Sequence, residues 1–201
     1  MSNTSYDRAF KATNRALHAD WNFFAAWREV LRAAAGTRPK AHMKQVMRID
    51  PTRDLDAVTS AMHACFVNEP PASSIRGYWL GLYEGENGYA LSFVGAKSYS
   101  TKDNQWAVDP SWTPSGGDFQ PPMLAAISKL RPDDYDVALE LEMCAIFPFS
   151  VLACREALRR LDPALTLRRA PSRGACCGFN DGDWLHLGKI TPRGLLAPKL
   201  A

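Results

Sequence analysis

The sequence has no Cys-x-x-Cys pair and no cluster of histidines. Structural zinc sites need that kind of ligand spacing, so no metal is expected, and no cofactor motif is visible either. Five cysteines (Cys65, Cys144, Cys154, Cys176 and Cys177) follow no framework spacing, and a bridge between the adjacent Cys176 and Cys177 would be strained. Reduced thiols in a cytoplasmic protein are the expectation. At Met1–Asp7 no basic stretch leads into an apolar run, which predicts no secretory signal. The longest uncharged apolar stretch, Met143–Cys154, has 12 residues and contains Pro148. It is too short to cross a bilayer and reads as core, so no membrane partner is expected. Glycines 77, 81, 85 and 88 miss the spacing of a phosphate loop and lie within a hairpin rather than between strand and helix. There is no internal repeat, and no linker long enough to demand two domains.

What is present is an ordinary globular composition: 201 residues, 46% hydrophobic and 22% charged. A chain of this length buries about 70% of its unfolded surface and needs no staple. The net charge of +3 conceals a segregation. Residues 1–50 hold 9 basic and 4 acidic side chains, residues 51–150 hold 6 and 13, and residues 151–201 hold 9 and 4. A −7 block thus lies between two +5 blocks.

Apolar periodicity organises the chain. Phe10, Leu17, Trp21, Phe24, the stem of Arg28 and Leu31 share one helical face, predicting a long N-terminal helix that Gly36 ends. Asp54 is an N-cap candidate for a second helix through Met62 and Phe66, closed by Pro70-Pro71. The period then changes. Runs 77–84 and 89–95 flank Asn87-Gly88 and predict a β-hairpin; runs 174–179 and 183–190 flank Asn180-Asp181-Gly182 and predict another. Between residues 97 and 122 the prolines and glycines predict a long ordered loop whose Trp106, Trp112 and Phe119 pack on something. A short helix is expected over residues 123–130. Tyr135, Val137, Leu139, Leu141 and Met143 alternate with Asp136, Ala138, Glu140 and Glu142, the pattern of a half-exposed strand. Pro148 suits the first turn of a helix running to Leu161. The sum is a single α+β domain over residues 1–201. Its mainly antiparallel sheet has two hairpins packed against several helices, and the helical segment 1–50 packs on it.

Several groups carry candidate chemistry. Cys176 or Cys177 could act as a nucleophile with His186 as base and Asp183 as orienter across the second hairpin. Against that, the two cysteines point to opposite faces of a strand, and a small buried residue is the simpler reading, so no catalytic residue is assigned. Asn180-Asp181-Gly182-Asp183 lacks the closing acid of a calcium loop and reads as a tight turn. Arg159-Arg160, Arg168-Arg169 and Arg173 form the densest basic cluster and keep a nucleic-acid surface open as an alternative, although no recognition motif accompanies them. The acidic block is the remaining feature: Glu84, Glu86, Asp103, Asp109, Asp118, Asp133, Asp134, Asp136, Glu140 and Glu142. If the sheet gathers these segments, they make one negative face beside Trp106 and Trp112. Such a face suits a basic protein partner, charge steering the encounter and aromatics anchoring it. The candidate partner-binding residues are Glu84, Glu86, Asp103, Trp106, Asp109, Trp112 and Asp118.

Three stretches stand out together: Pro70-Pro71 leading to Gly77–Glu84; Gly95 with Trp106, Trp112 and Pro114; and Gly178–Asp183 followed by Leu187-Gly188. Over residues 70–190 they resemble small bacterial proteins of the kind found as immunity proteins beside polymorphic or contact-delivered toxins. The resemblance implies a cytoplasmic, non-enzymatic protein that binds and blocks a cognate toxin. Immunity proteins to nuclease toxins are commonly acidic, and the +3 here departs from that. The motifs are structural, so no partner-contacting residue is carried over.

Overall fold

Helix α1 (Ser5–His18) is opened by Thr4, whose hydroxyl accepts from the Asp7 N–H while Asp7 reaches back to the Thr4 N–H, a reciprocal capping box. The chain then breaks. Asp20 takes a left-handed φ of 55°, Trp21 N–H reaches back to Ala16 O, and Asn22 caps α2 (Phe23–Ala35) by accepting from Ala25 N–H. The single long N-terminal helix expected from the apolar spacing is therefore two helices packed on each other. The expected stripe does not continue across the break: Phe24 and Arg28 are exposed and α2 buries Phe23, Ala26, Trp27, Val30, Leu31 and Ala34 instead, because the Asp-Trp-Asn segment supplies a stop and a new cap. Helix α3 (Ala41–Val46) and α4 (Thr52–Asn68) follow. Asp54 lies inside the first turn of α4, not at its cap, and its buried carboxylate accepts from the Met123 N–H.

This computed structural model describes residues 4–130, 134–180 and 182–199. Met1–Asn3, Asp133 of the acidic set and Asp181 of the second hairpin turn lie outside them. The six-stranded sheet runs β3-β2-β1-β4-β5-β6, with β1 Gly77–Gly85, β2 Gly88–Ala96, β3 Asp118–Phe119, β4 Arg173–Phe179, β5 Trp184–Thr191 and β6 Gly194–Leu196. Both expected hairpins form. In the first, Gly85 pairs with Gly88 around Glu86-Asn87, and Gly88 supplies the positive φ of 100°. One pairing is parallel: β1 lies beside β4, Gly77 opposite Gly174 and Gly81 opposite Gly178.

The sequence reading of a strand over residues 135–143 is overturned. Asp134 accepts from the N–H groups of Asp136 and Val137 and caps helix α6 (Tyr135–Leu141). That helix passes through one π turn, Glu142–Ile146, into α7 (Phe147–Arg160). Ala138, Leu141, Cys144 and Ala145 are buried at helical spacing, while Tyr135 and Leu139, which a strand would have turned inward, are exposed. Ala, Leu and Glu are strong helix formers, and the period-two pattern was a coincidence of their order. Pro148 lies in the first turn of α7, as expected, directly after the π turn in which Phe147 N–H bonds five residues back to Glu142 O. Tyr135–Arg160 is long and apolar enough to cross a membrane by length and composition, yet 72% of its apolar window is buried inside the fold, as in a core helix. The short helices α5 (Pro122–Ser128) and α8 (Pro163–Leu167) complete the layer.

Helix α7 lies at the centre, against β1, β4 and β5 on one side and α1, α2 and α4 around it. Tyr78, Leu80, Leu82, Leu91, Phe93, Ala175, Cys177, Leu185 and Leu187 join the helices in one continuous core. Alternation sends the intervening side chains to the other face of the sheet. On that face a second small core of Trp79, Ala96, Trp106 and Cys176 forms, with Tyr99 and Trp184 against it.

Candidate functional site

The second face is roofed by the chain between β2 and β3. Gly77 and Gly174, side by side in adjacent strands, leave a trough in which the Tyr99 ring lies. A Cβ on Gly174 would stand 2.1 Å from the ring carbon Cζ, and one on Gly77 would stand 2.7 Å from Cδ2. Trp106, in the 3₁₀ turn Gln105–Ala107, packs edge-on against Trp79 at 6.1 Å and tilts against Tyr99 at 5.1 Å. The roof then rounds the edge of β2. Ser111 and Trp112 bond to Gly95, Phe93 N–H donates to Gly117 O, and Trp112 stacks on Phe66 of the main core at 5.6 Å. The expected ordered loop is present, and it also covers a sheet edge that would otherwise be open.

Under this roof sits the cysteine–histidine pair that the hairpin register anticipated. Cys176 is opposite His186, with a register shift just beyond, and its Sγ lies 3.3 Å from His186 Nδ1. Tyr99 Oη lies 2.9 Å from the same nitrogen, and Nε2 lies 3.0 Å from Thr101 O. A carbonyl only accepts, so Nε2 carries the proton and Nδ1 is the acceptor, its one lone pair lying within reach of both the Tyr99 hydroxyl and the Cys176 thiol. Burial pushes the Cys176 thiol far above the usual thiol range and holds the imidazole below its ordinary value, the Thr101 bond opposing only part of the latter. Burial likewise raises Tyr99. At neutral pH the trio is thiol, neutral imidazole and phenol. A nucleophilic cysteine needs a thiolate within reach of solvent, and this buried thiol offers neither. Asp183, the anticipated orienter, instead receives the Tyr6 hydroxyl. Cys177 points into the main core beside Cys154, where burial raises it strongly. The arrangement pins the roof to the sheet.

Beside the pinned roof opens a cleft of about 280 Å³. Trp79 and Trp184 contribute to it from the sheet, Asn104, Gln105 and Val108 from the roof, and Asn180 from the β4–β5 turn. Trp79 Nε1–H donates to Asn180 Oδ1 at 3.2 Å, bracing one wall. Val108 is 73% exposed at the rim. Among the described residues none of the side chains lining this cleft is charged, and those that line it are aromatic, aliphatic and amide.

The acidic residues do not gather on one face. Asp103 and Asp109 are exposed on either side of the 3₁₀ turn; Asp103 accepts from Ser100 Oγ and from the Gln105 N–H. Asp118 faces the same side of the sheet, opposite Ser92, and shares a hollow of about 350 Å³ with Glu86 at the tip of the first hairpin. Glu84 is exposed near that tip but on the helix-bearing side by alternation. Trp106 is only 8% exposed and Trp112 is half-buried on the opposite side of the sheet, so both are committed to packing. Asp134, Asp136, Glu140 and Glu142 belong to the helical layer. There Glu140 takes Lys40 at 2.6 Å and His42 at 3.1 Å; burial would raise its carboxyl, but the Lys40 bond holds it below the usual range.

The arginine cluster is dispersed too. Arg159 and Arg160 pair with Asp20, Asp56 and Glu156; Arg173 is buried, bonded to Tyr78 and Ala72 O; Arg168 and Arg169 remain exposed. Among the described residues no group of three or more His, Cys, Asp or Glu could hold a metal. Sequence reasoning did not find Tyr99, Asn104, Gln105 or Val108, which carry no motif. The glycines that make room for the Tyr99 ring, Gly77 and Gly174, become neighbours only through the parallel β1–β4 pairing, which no local pattern announces. Comparison with protein-family models, curated proteins and solved structures gives no match.

Proposed function

We propose that this chain is a cytoplasmic, non-enzymatic binding protein of the immunity type, which neutralises a cognate protein toxin by covering its active site with the roofed face of the sheet. The observation that carries the reading is Val108, exposed beside Trp184 at the rim of an uncharged cleft and followed at once by Asp109, with Asp103 at the other end of the same turn. An apolar anchor point within a polar, acidic surround is the anatomy of a protein-docking surface for a basic partner. The roof is already held by Tyr99 and Trp106, so docking incurs little ordering cost. Trp106 and Trp112 therefore act as supports, and the contacting set is drawn from Asp103, Val108, Asp109, Asp118 and Trp184.

The test is association with the product of the adjacent gene, followed by calorimetry at two salt concentrations and by survival of toxin-expressing cells. Val108→Asp is expected to weaken binding at least tenfold, and Asp103, Asp109 and Asp118 changed together to Ala should weaken it mainly at low salt. Undiminished protection by both variants, shown to be folded, would sink the roofed face as the docking surface.

A further inference from the structure

The opposite end of the sheet holds a larger hollow, about 840 Å³, between the Pro70–Ser73 approach to β1 and the α8–β4 connection. Pro70, Pro71, Pro163 and Pro192 stiffen its rim, and Ser73, Arg168 and Arg169 line it. Both arginines take left-handed backbone, φ 42° and 70°, a conformation that side chains with a Cβ adopt at a cost. Consecutive strained residues of this kind are retained where the surrounding structure enforces them, and they concentrate at ligand sites.

Charge at this hollow is uncompensated. Arg155, Arg159 and Arg160 all have acidic partners, whereas no ion pair engages Arg168 or Arg169 among the described residues. Behind the wall, Arg173 is 1% exposed and lies over the Tyr78 ring at 5.2 Å. It donates to the Tyr78 hydroxyl and, at 2.8 Å, to the carbonyl of Ala72, a residue of the hollow itself. Its Nε–H has no partner, and no carboxylate neutralises it among the described residues. The one acid on the lining, Asp162, accepts the Ala164 N–H at 2.8 Å as the cap of α8. Three guanidinium charges thus face or underlie a stiff hollow against one engaged carboxylate. A buried cation without a counter-charge is costly, and an anion seated here would offset that cost.

We infer that this hollow binds a small organic phosphate, its phosphoryl group held by the Arg168 and Arg169 guanidinium forks and the Ser73 hydroxyl. Guanidinium geometry matches phosphate oxygens in pairs. The volume exceeds that of a bare phosphate, and the prolines with Leu167 and Ala170 offer apolar surface to an organic body. This site lies at the other end of the sheet from the docking cleft and stands or falls independently of it.

The experiment is calorimetric titration of the full chain with inorganic phosphate, ribose 5-phosphate and ribose, alongside a single-stranded oligonucleotide. Saturable binding of ribose 5-phosphate, tighter than inorganic phosphate and absent for ribose, is expected. It should weaken at least tenfold in the Arg168→Gln/Arg169→Gln double variant. Arg169→Gly is expected to weaken binding while raising the thermal midpoint, because glycine accepts the left-handed backbone. No saturable binding at millimolar ligand overturns the inference, as does binding unchanged in the folded double variant. Tighter binding of the oligonucleotide, lost in the same variant, would overturn it in favour of a nucleic-acid surface.

Discussion

At Gly174 the roof and the sheet are closest. A methyl group there would occupy the position of the Tyr99 ring, which cannot retreat because Trp106 packs against it. Gly174→Ala is expected to destabilise the fold by about 1–3 kcal/mol, the usual range for overpacking a filled site. In a Tyr99→Ala background most of that cost should vanish, and urea denaturation of the four species of the cycle measures it. His186 makes the same junction sensitive to pH. Its folded value lies below the ordinary 6.5, so the unfolded chain takes up the proton first as pH falls. Stability from this group is complete above that ordinary value and declines as pH drops below it toward the folded value. Denaturation at pH 7.5 and 5.5 should show a larger loss for the native protein than for His186→Gln; equal losses would count against His186 as the sensitive group.

Among the elements, α6 shows how local pattern and tertiary placement diverge. Tyr135 to Met143 reads as alternation because apolar and acidic residues take turns, yet nine residues with this composition also satisfy a helix. The deciding local signal was Asp134, an N-cap directly before the first turn. Asp134→Ala is expected to cost about 1 kcal/mol, measured by chemical denaturation. The hairpins, by contrast, were legible from turn residues between alternating runs, although the first turns at Glu86-Asn87 with only Gly88 at positive φ. The second hairpin also brought the two cysteines near His186 in advance, and the structure selects Cys176. Tyr99 was not legible, because it comes from a loop separated from His186 by 87 residues and from any motif of its own.

Across the whole molecule, the helical layer is tied together by Arg155, 3% exposed in the central helix α7. Its guanidinium donates to the carbonyls of Leu17 and Trp21 and to Asp20, the residues at the α1–α2 break. Arg155→Met would remove these charge-assisted bonds, leaving Leu17 O to the Asp20 N–H and Trp21 O to Arg159 alone, and a loss of about 2–3 kcal/mol is expected in equilibrium unfolding. An unchanged midpoint would show the break to be held by local capping alone. Charge is organised on the same scale. The strand directions bring Glu84, Glu86 and Asp183 to the hairpin-tip end of the sheet, and Arg76, Lys97 and Lys189 to the other. The cleft proposed for docking opens at the first end and the arginine-lined hollow at the second, so the proposed partners are of opposite charge.

Taken alone, the amino-acid order determined the α+β class, both hairpins and the approximate spans of α4, α5 and α7, because turn chemistry and apolar period act between residues a few positions apart. It also recorded that charge is segregated along the chain. Where those charges lie was decided by the tertiary structure. The parallel pairing of β1 with β4, the roof over the second face and the helical fate of residues 135–146 all depend on contacts between segments far apart in the chain. Local pattern cannot specify them, because burial of a side chain is a property of what packs against it. The acidic block therefore resolved into residues around the roof and the first hairpin tip and a helix surface, and the basic cluster into ion pairs, one buried guanidinium and two arginines in left-handed backbone.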